Sequence, residues 1–160
     1  MRQTHNTLSL QTRVLAVELL NKHLAAAIDL HGQVKQAHWN VRGPNFIAIH
    51  LLFDKVSEEI EKYSDQIAER AGALGGFARG TIQIAVDRSY LIPYALDIAD
   101  EEKHVFAVSA ALAAFGGSLR EAIDVAAKFG DAVTADLFTQ IASGVEHQLW
   151  LVESHVVPKP

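Results

Sequence analysis

Two histidines and three carboxylates are spaced so that they could bind a metal ion between helices. His50 and Asp54 are four residues apart, as are Asp65 and Glu69, and His38 precedes His50 by twelve residues. Residues four apart lie on the same face of a helix, so each pair presents its side chains together. Imidazole nitrogen and carboxylate oxygen are together suited to iron, manganese or zinc. The pattern predicts a mixed-ligand metal site.

A solvated acidic face is the competing interpretation of this helix. For any one of its acidic residues alone, that interpretation is the more common one. Apolar residues on the rest of the helix, such as Phe53 and Ile60, indicate that it is largely buried, which favours a protected acidic stripe. The stripe comprises His50, Asp54, Glu58, Glu61, Asp65 and Glu69.

The spacing along the helix predicts that the site is shared between two copies of the chain. Asp54 and Asp65 stand ~16 Å apart along the axis, whereas a metal ion binds its ligands at ~2 Å. Two antiparallel copies related by a two-fold axis near residues 59–60 would bring His50 and Asp54 of one chain to Asp65 and Glu69 of the other. Such an isologous interface makes two equivalent sites, ~22 Å apart.

His38 can join His50 because only a short turn separates the two helices that carry them. The Gly43-Pro44 break places the end of the first helix beside the start of the second. Carboxylates gathered at an interface repel one another unless they are protonated or hold a cation. A divalent metal relieves this repulsion, and iron is the redox-capable choice.

Four long helices position these residues. Apolar periodicity predicts a first helix from a cap at Ser9 or Thr12 to Asn40, and a second from a cap at Asn45 to Ala73. A third is expected from Ala95, with acids at its start as the helix dipole favours (Asp97, Asp100, Glu101 and Glu102).

Glycines mark the remaining breaks. Local propensity suggests a stop at Gly116-Gly117, and Gly130 is a firmer one. The last helix is expected from a cap at Asp131 or Thr134 to about Val157. The 75–94 connection is predicted to hold a short helical turn over 87–91. Four helices with this long crossover predict an all-α, ferritin-like four-helix bundle forming one domain over residues 1–160.

Composition excludes several classes of function. The chain has no cysteine, which rules out disulfides and thiolate chemistry. Its net charge is −5, and its lysines and arginines are scattered, so strong nucleic-acid binding is not expected. Neither end forms a basic tail. No apolar run approaches the ~18 residues that span a membrane, and the N-terminus has no export signal, so we expect a cytoplasmic protein.

At these residues the chain closely resembles the Dps family (DNA protection during starvation), the mini-ferritins. The most specific match is His38-Trp39-x-Val41-x-Gly43, followed by His50-x-x-x-Asp54 and Asp65-x-x-Ala68-Glu69-Arg70. Similarity extends over about residues 10–155, through Leu74-Gly75-Gly76, Leu96-Asp97-Ile98, Leu119-Arg120-Glu121-Ala122-Ile123, Thr134-Ala135-Asp136 and Trp150-x-x-Glu153-Ser154.

The resemblance implies a homododecamer that oxidises Fe(II) with hydrogen peroxide, or less efficiently dioxygen, and stores Fe(III) mineral in its cavity. His38, His50 and Asp54 of one subunit would bind up to two irons with Asp65 and Glu69 of another, and zinc or manganese can substitute. The resemblance also implies that Trp39, beside the metal centre, quenches radicals, with core packing as the equal alternative for this residue. It further implies that Asp131 and Asp136 line iron pores on the three-fold axes of the dodecamer. It also implies that the third helix continues through Gly116-Gly117.

The chain differs from the family at its ends. DNA binding in the family often depends on a lysine-rich tail, and neither end of this sequence is rich in lysine. DNA binding is therefore doubtful. A structural nucleoid protein without redox function is one alternative. Another is an internal di-iron site, which needs two Glu-x-x-His motifs. Only Glu101-x-x-His104 qualifies, and we expect that pair to be exposed. The remaining histidines are expected at the surface or in packing, although His31 could bind a stray metal.

Overall fold

The computed structural model describes residues 1–156, which form five helices and, within that range, no strand. These are α1 (Leu10–Asn40), α2 (Phe46–Ala73), α3 (Ile82–Arg88), α4 (Glu101–Lys128) and α5 (Ala132–Glu153). α1 packs chiefly against α2, and α4 against α5, and the two pairs join through α1–α4 and α2–α5 contacts. The predicted all-α, ferritin-like bundle with a long crossover is confirmed.

The core is one continuous apolar cluster to which all four long helices contribute. Alanines line much of α1, which lets neighbouring helices approach closely, and large side chains fill the centre of the bundle. The largest fully buried ones include Phe53, Phe115, Phe138, Leu20, Leu30, Ile60 and Leu112. α4 is apolar and long enough to cross a membrane by composition alone. It is nevertheless a core helix here, with Phe115 and Leu112 inside the bundle.

Capping residues explain the helix starts that the sequence predicted well. The hydroxyl of Ser9 accepts a hydrogen bond from the backbone N–H of Thr12, so Ser9 rather than Thr12 caps α1. The carboxylate of Asp131 accepts from the backbone N–H of Thr134 and caps α5. α4 runs unbroken through Gly116 and Gly117, and a Cβ added at Gly116 would meet only Val145 of α5, at ordinary contact distance. The stop suggested by local propensity is therefore wrong.

Three predicted boundaries need correction. α4 begins at Glu101 rather than Ala95, because the carboxylate of Asp100 caps it and the N–H of Arg42 bonds to the carbonyl of Ala99 at 2.7 Å just before that cap. The crossover helix spans Ile82–Arg88, not 87–91, because the hydroxyl of Thr81 caps it. α5 ends at Glu153, and the predicted end at 157 lies outside the described residues.

Candidate metal centre

The turn between α1 and α2 brings the two motif histidines face to face. The ring centroids of His38 and His50 lie 3.8 Å apart, with 20° between the ring planes. Nδ1 of His38 lies 2.8 Å from the carbonyl oxygen of His50, and Nδ1 of His50 lies 2.8 Å from the carbonyl oxygen of His38. The two residues thus hold each other through reciprocal hydrogen bonds.

These bonds select one tautomer of each histidine. A carbonyl oxygen can only accept, so both Nδ1 atoms must carry the proton and donate. In the neutral imidazole the lone pair then resides on Nε2, the form in which histidine binds metals. Nε2 of His38 lies 3.8 Å from Oδ1 of Asp54. Two atoms bound to one metal at ~2 Å each are at most ~4 Å apart, so this spacing suits a shared ion.

Lys35 is a member of this cluster that the sequence reasoning missed. Its ammonium lies 2.7 Å from Oδ1 of Asp54 and 5.9 Å from the centroid of the Trp39 ring. The hydrogen bond from Lys35 is the main cause that lowers the pKa of Asp54, so this carboxylate stays ionised. The signal that could have revealed it is spacing, since Lys35 precedes His38 by three residues on the same helix.

Trp39 lies on the surface of the subunit. Its side chain is 63% exposed and faces the Lys35 ammonium. Core packing within one subunit, the alternative to a role beside the centre, is therefore wrong for Trp39. The side chain remains next to His38, in a position that a second copy of the chain could cover.

The other two predicted ligands lie at the far end of α2. Asp65 and Glu69 are exposed, and helix geometry separates Asp65 from Asp54 by ~16 Å. Within residues 1–156 no three histidine, aspartate or glutamate side chains come together as a metal-binding group. The structure places the ring of His38 against His50 and 3.8 Å from Asp54, whereas Asp65 and Glu69 lie towards the other end of α2.

The distal pair is followed directly by a buried ion pair. The guanidinium of Arg70 donates to both carboxylate oxygens of Asp131, at 2.8 and 3.1 Å, and to the hydroxyl of Thr134 at 3.0 Å. Asp131 is nearly fully buried. It caps α5 and fixes the end of α2, so its carboxylate is already occupied within the subunit. Asp136 is exposed and accepts a hydrogen bond from Gln140.

Two further histidines, His104 and His31, have defined hydrogen-bond partners, and His104 also differs from the prediction. His104 is buried rather than exposed, and Nδ1 of its ring bonds to the hydroxyl of Tyr94 at 2.6 Å. Glu101 bonds to Asn45, so Glu101 and His104 do not act as an exposed pair. Nδ1 of His31 lies within hydrogen-bonding distance of Ser57, on α2.

Comparison with known proteins identifies the family. A model described as the ferritin-like domain matches residues 17–157. The "DNA protection during starvation protein" of Agrobacterium fabrum is 37% identical over 157 residues, covering 98% of this chain and 97% of the relative. The chain belongs to the Dps family. The relative of the same name from Brevibacillus brevis is 31% identical and covers 88% of this chain and 93% of that protein.

Solved Dps structures share the whole architecture. DpsC from Streptomyces coelicolor matches with a TM-score of 0.93 at 29% identity, over 99% of this chain and 93% of that chain. Dps from Mycobacterium smegmatis matches with a TM-score of 0.90 at 29% identity, over 99% and 95% of the two chains. The Dps assignment made from the motifs is thus confirmed by sequence and by structure.

Proposed function

We propose that this Dps protein is a ferroxidase that oxidises Fe(II) with hydrogen peroxide, or dioxygen, and stores the Fe(III) product as mineral in a hollow dodecamer. The reciprocal hydrogen bonds between His38 and His50 carry this proposal. They hold two imidazoles in the metal-binding tautomer beside the ionised Asp54. Donation from each Nδ1 leaves Nε2 as the ring atom through which each histidine can bind a metal.

The proposed site is completed by a second subunit. His38, His50 and Asp54 of one copy would face Asp65 and Glu69 of another across a two-fold axis. Exposed carboxylates brought together in this way repel one another, and a bound cation removes that cost. Imidazole and carboxylate ligands accommodate ferrous iron, and zinc or manganese can take its place. Up to two irons would occupy each site.

The chemistry suits a protective role. Two ferrous ions supply two electrons to one hydrogen peroxide, which takes up two protons and is reduced to two waters. Pairing the electrons avoids release of hydroxyl radical, the product of one-electron reduction. Trp39, exposed and adjacent to His38, is placed to be oxidised by any radical that does form.

Exposed apolar side chains support a homo-oligomer. Ile82 and Val86 on α3, with Ile92 and Leu96 after it, are each more than 70% exposed in the single subunit. Such a patch marks a surface that another protein covers. A second copy is the simplest occupant, because the proposed site also requires one.

We retain Asp136 as the proposed lining of an iron pore, because it is exposed at the start of α5. Asp131 lies five residues before it, but the carboxylate of Asp131 is held by Arg70 inside the subunit. Its part in a pore would be to fix the backbone around Asp136. Substitution of Asp136 alone should then slow iron entry without unfolding the protein.

A nucleoid-associated, structural DNA-binding protein is the alternative, supported by the name that the relatives carry. The net charge of −5 argues against it. The N-terminal cation Arg2 lies over the Phe77 ring at 4.3 Å, held close to its own subunit. We propose that protection is chemical and takes place in the cytoplasm. A low-salt mobility-shift assay with duplex DNA tests this, and a retarded complex would favour the alternative.

The ferroxidase proposal is tested by loading Fe(II) without oxygen, adding hydrogen peroxide and following the absorbance of ferric product. The double variants His50→Ala/Asp54→Ala and Asp65→Ala/Glu69→Ala should each lose the fast phase. Wild-type rates in both would overturn the assignment of these residues.

Co-expression of the two double variants tests the sharing of the site. A mixed dimer contains one intact site and one site lacking all four ligands. Random pairing makes half of the dimers mixed, so about a quarter of the wild-type fast phase should return. A site built within one subunit would recover nothing, because each chain carries one of the two defects.

A further inference from the structure

The first residue of α4 holds the turn that joins the two motif histidines. One carboxylate oxygen of Glu101 accepts the backbone N–H of Asn45 at 2.9 Å, and the other accepts the side-chain amide of Asn45 at 2.8 Å. Asn45 precedes α2 and makes no capping bond with its own side chain. Glu101 therefore supplies from another helix the negative charge that the start of α2 favours.

The same turn is bound to α4 at a second point. The N–H of Arg42 donates to the carbonyl of Ala99 at 2.7 Å, and Arg42 and Asp100 form an isolated bridge. Gly43 packs directly against Glu101, and a Cβ at this position would overlap its carboxylate. Residues 42–45 are thus attached at both ends to the start of α4.

The attached turn lies between the two histidines in the chain. His38 lies three residues before Val41 at the end of α1, and His50 lies five residues after Asn45. Their two reciprocal bonds are 2.8 Å long, so they require the first turn of α2 to keep its position along α1. Release of Asn45 would allow that turn to shift and would lengthen both bonds.

We propose that Glu101 is a positioning residue of the metal centre: by holding Asn45 it fixes the tautomers and the spacing of His38 and His50. Glu101 does not bind the metal itself. This inference rests on the proposed function, since it concerns the same histidines. It assigns to α4 a part in the centre that the ligand motifs on α1 and α2 do not reveal.

The test measures Co²⁺ binding, because the visible absorption of Co²⁺ reports both affinity and ligand geometry without any oxidation step. Assembled wild-type protein and the variants Glu101→Ala, Glu101→Gln and Asn45→Ala are titrated under the same conditions. Glu101→Ala should weaken binding about tenfold, as loss of an outer-shell support does, and should alter the absorption bands. Asn45→Ala keeps the bond from the backbone N–H, and the single carbonyl oxygen in Glu101→Gln can accept only one of the two bonds, so both variants should have intermediate effects.

Asp100→Ala is the matched control. The side chain of Asp100 caps α4 through the N–H of Lys103, whereas its bridge to Arg42 is made by the backbone. Asp100→Ala therefore destabilises the same helix end while leaving the bridge and the Glu101–Asn45 bonds in place. Its Co²⁺ affinity should stay within twofold of wild type. Helix content and assembly size are recorded for every variant, so that a fold defect is not mistaken for a site defect.

The outcomes separate this inference from the proposed function. Equal Co²⁺ affinity and spectra in wild type and Glu101→Ala would overturn the positioning role, as would equal losses in Glu101→Ala and Asp100→Ala. Should Glu101→Ala fail to fold, the Co²⁺ affinities and spectra of Glu101→Gln and Asn45→Ala are compared with wild type instead, and equality with wild type would again overturn the positioning role. If wild type and His50→Ala bind Co²⁺ alike, the proposed function itself is overturned, and the role of Glu101 with it.

Discussion

The two ends of α2 carry the two halves of the proposed site, and the subunit prepares them differently. At the N-terminal end, His50 is itself held by hydrogen bonds to α1, and Asp54 pairs with Lys35. At the C-terminal end, Asp65 and Glu69 are exposed. The neighbouring residue Arg70 is fixed there instead, by Asp131.

This difference bears on the proposed sharing of the site between two copies of the chain. The imidazoles need a defined tautomer, which hydrogen bonds within the subunit can provide in advance. Carboxylates have no such requirement, and in the proposed site the metal would orient them when the two halves meet. At the N-terminal end of α2 the subunit therefore fixes the side chains, because the proton of each imidazole must be on Nδ1. At the C-terminal end it fixes only the helix backbone, through Arg70.

Breaking the C-terminal anchor should have the largest effect. Asp131→Ala leaves the largely buried guanidinium of Arg70 without its carboxylate and removes the cap of α5. We expect a loss of about 3 kcal/mol in the free energy of unfolding. Urea denaturation at one fixed protein concentration measures it, since assembly makes stability depend on concentration.

Asp136→Ala is the control for this variant. Asp136 is exposed and bonds only to the nearby Gln140 among the contacts described, so its loss should change stability by less than about 0.5 kcal/mol. Similar losses in the two variants would show that the buried pair does not anchor the end of α2. The comparison between the two ends would then fail.

Much of this arrangement could be predicted from sequence because it is local. The bounds of α1 and α2 follow from apolar periodicity, from Ser9 and from the Gly43-Pro44 break. The proximity of His38 and His50 follows from the shortness of the turn between them. Each of these features depends on residues close together in the chain.

The features that sequence reasoning missed depend on contacts between distant segments. The late start of α4 results from the backbone bond between Arg42 and Ala99, which no local propensity reports. The pairing of Lys35 with Asp54 and the burial of His104 each depend on a neighbouring element. The continuation of α4 through Gly116-Gly117 accompanies burial of Leu112, Phe115 and Leu119 in the core, which local propensity does not report.

An intermediate effect is expected from releasing Asp54 at the N-terminal end. Lys35→Met removes the ammonium that competes with a metal for this carboxylate, and it raises the pKa of Asp54 towards its ordinary value. Because the pair is partly exposed, we expect Co²⁺ to bind about two- to fivefold more tightly at neutral pH. Isothermal titration at low salt measures this change.

Lys62→Met removes the same charge from α2, the neighbouring helix, and is the control. Lys62 pairs with the nearby Glu59 at the surface, away from the histidines. Its affinity for Co²⁺ should remain near that of wild type. If both variants strengthen binding equally, the effect is one of net charge, and Lys35 has no special place at the centre.

The smallest expected effect is a loss of stability at acidic pH. Burial lowers the pKa of His104, whose ring lies against the backbone of Asn40 and beside the turn that Glu101 holds. The folded protein keeps this ring neutral, whereas the opened chain takes up a proton below its ordinary pKa of about 6.5. Stability from this group is therefore complete above pH 6.5 and is lost as the pH falls towards the lowered value.

The N-terminal end should accordingly open more readily in acid than the C-terminal end. Hydrogen exchange, corrected for the intrinsic rate, should rise a few-fold for residues 41–50 between pH 7 and pH 5.5 and change less for residues 66–76. Replacing the buried ring in His104→Gln should remove most of that difference. An equal acid response at both ends, or one that persists in this variant, would mean that His104 does not support the histidine end of α2.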